Sequence, residues 1–153
     1  MPDWIAHLLV AWSAGRLLEV RKSISKSEIV VLMFGAVLPD IVAINYLLSW
    51  MGVDPGGLLL PFHTIAGALV VSALVSLLFM KSLRKFYLLA AGVMSHFALD
   101  SLLLHAGGGM VLLFPFSWMS GFQFGVVSPD SWIPALCSIF IAAVIFFSTR
   151  KLR

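Results

Sequence analysis

Residues 29–51 read IVVLMFGAVLPDIVAINYLLSWM, an apolar run whose single charge, Asp40, stands directly after Pro39. Crossing the hydrocarbon core of a bilayer takes about 20 mostly apolar residues at about 1.5 Å of rise each, so the run is long enough to span as a helix. Its one carboxylate then lies about 15 Å from the nearer helix end and requires a counter-charge, a proton or a metal. Pro39 supports this reading, because its ring breaks a backbone hydrogen bond and frees a carbonyl nearby.

The rest of the chain has the same character. Of its 153 residues 61% are hydrophobic and 11% charged, and the mean hydropathy is +1.04. A soluble domain of this composition would expose a continuous greasy surface, so that class is excluded. Three further runs reach spanning length: Leu60 to Met80, Phe86 to Leu104 and Ser131 to Thr149. A fifth, Trp4 to Val20, carries Arg16 and Glu19 near its end, which either snorkel to an interface or place the segment partly in the membrane plane. The expected fold is therefore all-α, a polytopic transmembrane helical bundle of four to five spans, with residues 1–153 forming one integral membrane domain.

The basic residues orient it. Arg21, Lys22 and Lys26 precede the Ile29 span, Lys81, Arg84 and Lys85 follow the Leu60 span, and Arg150, Lys151 and Arg153 end the chain. All three clusters fall on one side, and the opposite loops, 52–59 and 105–130, contain no lysine or arginine. The positive-inside rule puts the clusters and the C-terminus in the cytoplasm of an inner-membrane protein. The net charge of +3 is thus confined to helix ends, and nucleic acid is excluded as a partner. Asp3 stands where a signal peptide carries basic residues, so the first segment is expected to persist, with its N-terminus outside if it spans. The lone cysteine, Cys137, excludes a disulfide framework and reads as a small buried residue. The uncharged, aromatic stretch before Asp130 is expected to hug the membrane, as an interfacial belt or as a lid over an outward-facing site.

Ionisable groups inside spans are costly and face the bundle interior. Besides Asp40 they are His7, His63, His96 and Asp100. His96 and Asp100, four apart, share one helix face and either bind one metal or form a helix-tying hydrogen bond. Topology places His63 at the outer helix end, Asp100 about one turn in, His96 about two, and Asp40 somewhat deeper. His7 joins that layer if the first segment spans. Such a His/Asp set suits zinc, and also manganese or iron, with a coordination position left for water. A metal there lowers the pKa of water and polarises an ester or phosphoryl oxygen, the requirement of a hydrolase. His105, beside three glycines, reads as interfacial.

At these residues the chain resembles the YdjM-like family, described as membrane-bound metal-dependent hydrolases related to the zinc-dependent phospholipase C and P1 nuclease superfamily. The matching pieces are His7, Gly35-Ala-Val-Leu-Pro-Asp40, His63-Thr-Ile-Ala-Gly67, Gly92-Val-Met-Ser-His96-Phe-Ala-Leu-Asp100 and Leu113-Phe-Pro-Phe-Ser117. The resemblance implies a helical metal site with His7, Asp40, His63, His96 and Asp100 as ligands and hydrolysis of a phosphoester, lipid-borne or not. The chain departs from the family pattern at Val42, where a second acid is frequent, and at Leu58 and Leu59, where a His-Arg pair is frequent. Fewer ligands imply fewer metals, or a fold that has outlived its catalysis.

The leading expectation is a hydrolase in which Asp40 and Asp100 are catalytic, one as ligand and the other as ligand or general base, and whose partners are the bilayer and a lipid or phosphoester substrate. A non-catalytic protein with a structural polar or metal cluster is the alternative. A small ion or proton transporter ranks third, because the inner half of the spans lacks ionisable groups to continue a path.

Overall fold

The computed structural model describes residues 3–21, 23–54, 59–104, 111, 114–118, 124–128 and 130–150. Lys22, Leu58, His105, Leu113, Lys151 and Arg153, and the side chain of Val42, lie outside the described residues. Regular structure within them is helical, with one isolated parallel bridge between Leu103 and Val127.

Helix α1 runs Asp3–Val20 and α2 Lys26–Val37. Ser25 starts α2 through a reciprocal capping box, its amide donating to Glu28 Oε2 at 2.8 Å while its hydroxyl accepts from the Glu28 amide. Proline cannot continue the ladder, and at Leu38–Ala43 the chain tightens into a 3-10 turn before α3, Ile44–Trp50. A second 3-10 turn, Leu60–His63, leads into α4, Ile65–Val75, whose end loosens into a π turn at Ser76–Met80. Thr64 caps α4: its hydroxyl accepts from Gly67 N at 3.1 Å and donates to the Pro61 carbonyl at 2.7 Å. Helix α5 is Leu83–Asp100, capped by Ser82, and α6 is Ile133–Arg150.

Helix α2 packs most extensively on α5, and α1 lies against both α2 and α6. Glycine sets the closest approach: a Cβ on Gly35 would sit 2.3 Å from the Leu89 carbonyl oxygen, and one on Gly92 2.2 Å from that of Leu32. The two backbones touch directly, the small-residue packing typical of helices in lipid. Leu38, Ala68, Val93 and Phe97 form one buried cluster and Ala11, Leu32 and Ala36 another. Buried positions also include Ser13, Ser72, Ser138 and Thr149, whereas Trp50 is 84% exposed, Phe79 80% and Phe140 71%. A small, partly polar interior beneath a large apolar exterior inverts the pattern of a water-soluble protein.

The helices are shorter and more charged than the expected spans. Among the described residues Ile133–Arg150 alone is long and apolar enough to cross a bilayer by itself, and Ile65–Met80 is a shorter apolar helix. The expected span 29–51 is divided at Pro39, so α2 is 12 residues long. Helix α1 includes Asp3, Arg16 and Glu19, and α5 begins with Arg84 and Lys85 and closes on Asp100. Two local expectations are corrected as well. Arg16 does not snorkel: it is buried, paired with Glu19, and donates Nε–H to Thr149 Oγ1 at 3.0 Å, tying α1 to α6. Cys137 is exposed on α6, because that helix turns Ala135, Ser138 and Ala142 inward instead.

Candidate metal centre

The five side chains singled out from sequence reach the same place from four elements, two of them from α5. His7 projects from the second turn of α1 and is 2% exposed. Asp40 sits on the 3-10 turn that Pro39 imposes, and His63 ends the turn that Thr64 ties back to Pro61. His96 and Asp100 share the buried face of α5.

Asp100 is the hub. Its Oδ1 lies 3.2 Å from His7 Nε2, and its Oδ2 lies 3.3 Å from His63 Nε2 and 3.1 Å from His96 Nε2. The two imidazole nitrogens His63 Nε2 and His96 Nε2 are themselves 3.2 Å apart. Asp40 Oδ1 stands slightly farther off, 3.7 Å from His63 and 3.8 Å from His96. The His7 and His96 rings stack with centroids 4.0 Å apart. Among the described residues two triads are close enough to hold a metal ion, His63–His96–Asp100 and His7–Asp40–His96, and His96 belongs to both.

Three features of this arrangement fit a cation. A tetrahedral shell with bonds of about 2.0–2.1 Å has ligand–ligand edges of about 3.3 Å, which the 3.1, 3.2 and 3.3 Å edges of the His63–His96–Asp100 triangle match. His96 Nδ1 lies 2.9 Å from the carbonyl oxygen of Ala36, which can only accept, so Nδ1 carries a proton and Nε2 is left facing the two carboxylates. Two carboxylates and the imidazole nitrogens gathered this closely call for a positive charge among them, which a metal ion or protons on the imidazoles supply. Finally, Asp40 Oδ2 and His7 Nδ1 are buried without a hydrogen-bond partner, which is costly for polar atoms.

Sequence reasoning missed four contributors. Ala36 orients His96 through its carbonyl, Thr64 anchors the His63 turn, and Gly35 with Gly92 lets α2 approach α5 closely enough for Asp40 to meet His96. The signal for the glycines was present: Gly92 precedes His96 by one helical turn, and Gly35 opens the Gly-Ala-Val-Leu-Pro-Asp run.

Fold and site together define a class, helical membrane proteins with a His/Asp centre buried between their helices. A family model described as YdjM inner membrane protein matches residues 1–152, and the chain belongs to that family. No curated protein and no solved structure matches it.

Proposed function

We propose that the chain is a metal-dependent hydrolase of the inner membrane, acting on a phosphoester or lipid-borne substrate from a centre in the outer half of a bundle of four to five spans. The observation that carries the reading is the His63–His96–Asp100 triangle, whose edges are those of a metal shell. The orientation is supported by how the basic clusters meet. Arg84 donates Nη2–H to the Ser23 carbonyl at 2.6 Å and pairs with Glu28, and Arg16 bonds Thr149 beside Arg150. These contacts gather the clusters at the end of the bundle opposite the His/Asp centre, which is the cytoplasmic end by the positive-inside rule.

In this reading His63, His96 and Asp100 hold zinc, or manganese or iron, with Asp40 completing the set and His7 supporting the far oxygen of Asp100. The ion supplies a lowered water pKa and polarises the phosphoryl or ester oxygen. The protein does the rest. Ala36 holds His96 through Nδ1, and Asp100 turns Oδ2 towards His63 and His96 while Oδ1 faces His7. Asp40 Oδ2, buried and unpartnered, accepts the proton of the attacking water and returns it to the departing alkoxide.

The test is elemental analysis of the protein purified in mild detergent, combined with hydrolysis of a chromogenic phosphodiester. Stoichiometric zinc that is lost in His96→Ala and Asp100→Ala, with hydrolysis lost in parallel, is the expected result. Protein that binds no metal, or that binds it and hydrolyses nothing, overturns the reading. Metal without turnover would instead favour a structural centre, since the same five side chains tie α1, both 3-10 turns and α5 together.

A further inference from the structure

Beside the centre lies a cavity of about 280 Å³ between the outer ends of α1, α5 and α6. Its walls are apolar, with Ala6 and Val10 from α1, Leu99 from the end of α5, Leu103 just beyond it, and Ile141 from α6. Ser138 also lines it, but its hydroxyl donates to the Ala135 carbonyl at 2.8 Å within its own helix and presents no polarity inward. Polarity enters at one edge, formed by His7 and Asp100, which are members of the His/Asp centre. The α6 flank continues outward into Leu136, 62% exposed, and Phe140, so the surroundings of the cavity are apolar too.

A space with apolar walls and one charged edge matches an amphiphile with a hydrocarbon tail and a single reactive head. A small water-soluble phosphoester would leave those walls in contact with water. We infer that the cavity seats one fatty-acyl chain of a bilayer phospholipid, with the scissile phosphoester against His7 and Asp100. The inference rests on the hydrolase reading and narrows its substrate class to lipid. Supply is lateral: the chain enters from the leaflet beside α6 and the head group follows to the centre.

Cys137, the only cysteine, lines this cavity and is exposed, which makes it a reporter. The experiment measures the rate of maleimide labelling of detergent-solubilised protein, metal-loaded and chelator-treated, with added dodecyl phosphate, farnesyl phosphate or inorganic phosphate. At about ten times its dissociation constant, dodecyl phosphate is expected to slow labelling about tenfold by mass action, while inorganic phosphate leaves it unchanged. Ile141→Trp, which fills the cavity from an already exposed position, is expected to abolish the protection. Phe140→Cys in a Cys137→Ser background, exposed on α6 outside the cavity, should show none. Equal slowing at positions 137 and 140, no slowing at 137, protection that survives Ile141→Trp, or protection by farnesyl phosphate alone overturns the inference. Protection in a protein that binds no metal leaves the lipid cavity standing and removes the hydrolase. Hydrolysis of a soluble phosphodiester without protection does the reverse.

Discussion

His96 donates its Nδ1–H to the carbonyl of Ala36, 60 residues earlier, across 2.9 Å. One hydrogen bond thereby joins the last turn of α2 to α5 one turn before its end and decides which nitrogen of His96 faces the carboxylates. Glutamine and asparagine cannot hold both the Ala36 contact and a lone pair at the Nε2 position, so His96→Asn is expected to lose metal entirely. His63→Asn and Asp100→Asn should do the same. His7 is different, because it touches the far oxygen of Asp100. His7→Asn should weaken metal affinity by about 10- to 100-fold, the usual effect of removing an outer partner. Isothermal titration with zinc distinguishes the two outcomes, and equal loss in all four variants would place His7 among the direct ligands.

Thr64 acts on the centre from one residue away. Its hydroxyl both caps α4 and restrains Pro61 in the turn that carries His63. Loss of an N-cap costs about 0.5–2 kcal/mol. Thr64→Val is therefore expected to destabilise the protein by about 1 kcal/mol and to weaken zinc binding with it, while Thr64→Ser restores both. Zinc titration alongside thermal unfolding checks the pair. A Thr64→Val protein of unchanged zinc affinity would show that the His63 turn stands without this restraint.

The contact of α2 with α5 tolerates no extra atom. Gly35→Ala or Gly92→Ala puts a methyl group 2.3 or 2.2 Å from a backbone oxygen, which no rotamer can relieve. Overpacking of this kind costs about 1–3 kcal/mol, and here it also moves Asp40 away from His96. Lower thermal midpoints and weaker metal binding are expected together. Gly52→Ala meets open space, and at φ +78° it strains only its own turn, so zinc affinity should survive there.

The end of the bundle that carries Arg84 and Glu28 has its own pH dependence. The Arg84 guanidinium, and after it the Ser25 amide, hold the Glu28 carboxyl down at about 2 against an ordinary 4.5. A depressed acid contributes stability that is complete above the unfolded value and is lost as pH falls towards the folded one. The stability difference between wild type and Glu28→Gln should therefore be constant above pH 4.5 and shrink between 4.5 and about 2. The pair is solvent-exposed, so high salt should reduce the difference as well. Unfolding midpoints measured across this range in both proteins decide it, and a difference that grows on acidification would contradict the contact.

Much of the centre was legible because it depends on spacing and depth along single segments. His96 and Asp100 share a face by helical period, and Asp40 after Pro39 could not sit in lipid alone. What could not be read concerns rotation of one helix against another. A helix such as α6 is apolar nearly all round and has little polar stripe to reveal its inner side, so Cys137 reads as buried from the sequence although it is exposed at a cavity wall. The pairing of Arg16 with Thr149, 133 residues apart, depends on the same unseen rotation. Helix lengths were over-read for a related reason: hydropathy does not register that Pro39 ends a helix within an unbroken apolar run.

The break at Pro39 also bears on how the protein is made. A 12-residue α2 rises only about 18 Å, well short of a hydrocarbon core of about 30 Å, and it leads straight into an irregular turn bearing a carboxylate. Backbone of that kind persists at membrane depth only when other protein covers it. Its cover comes from later in the chain: α5 lies along α2, and the second 3-10 turn, Leu60–His63, lies against the irregular turn. The first half of the chain is therefore expected to settle in the bilayer only once both of these segments have followed it.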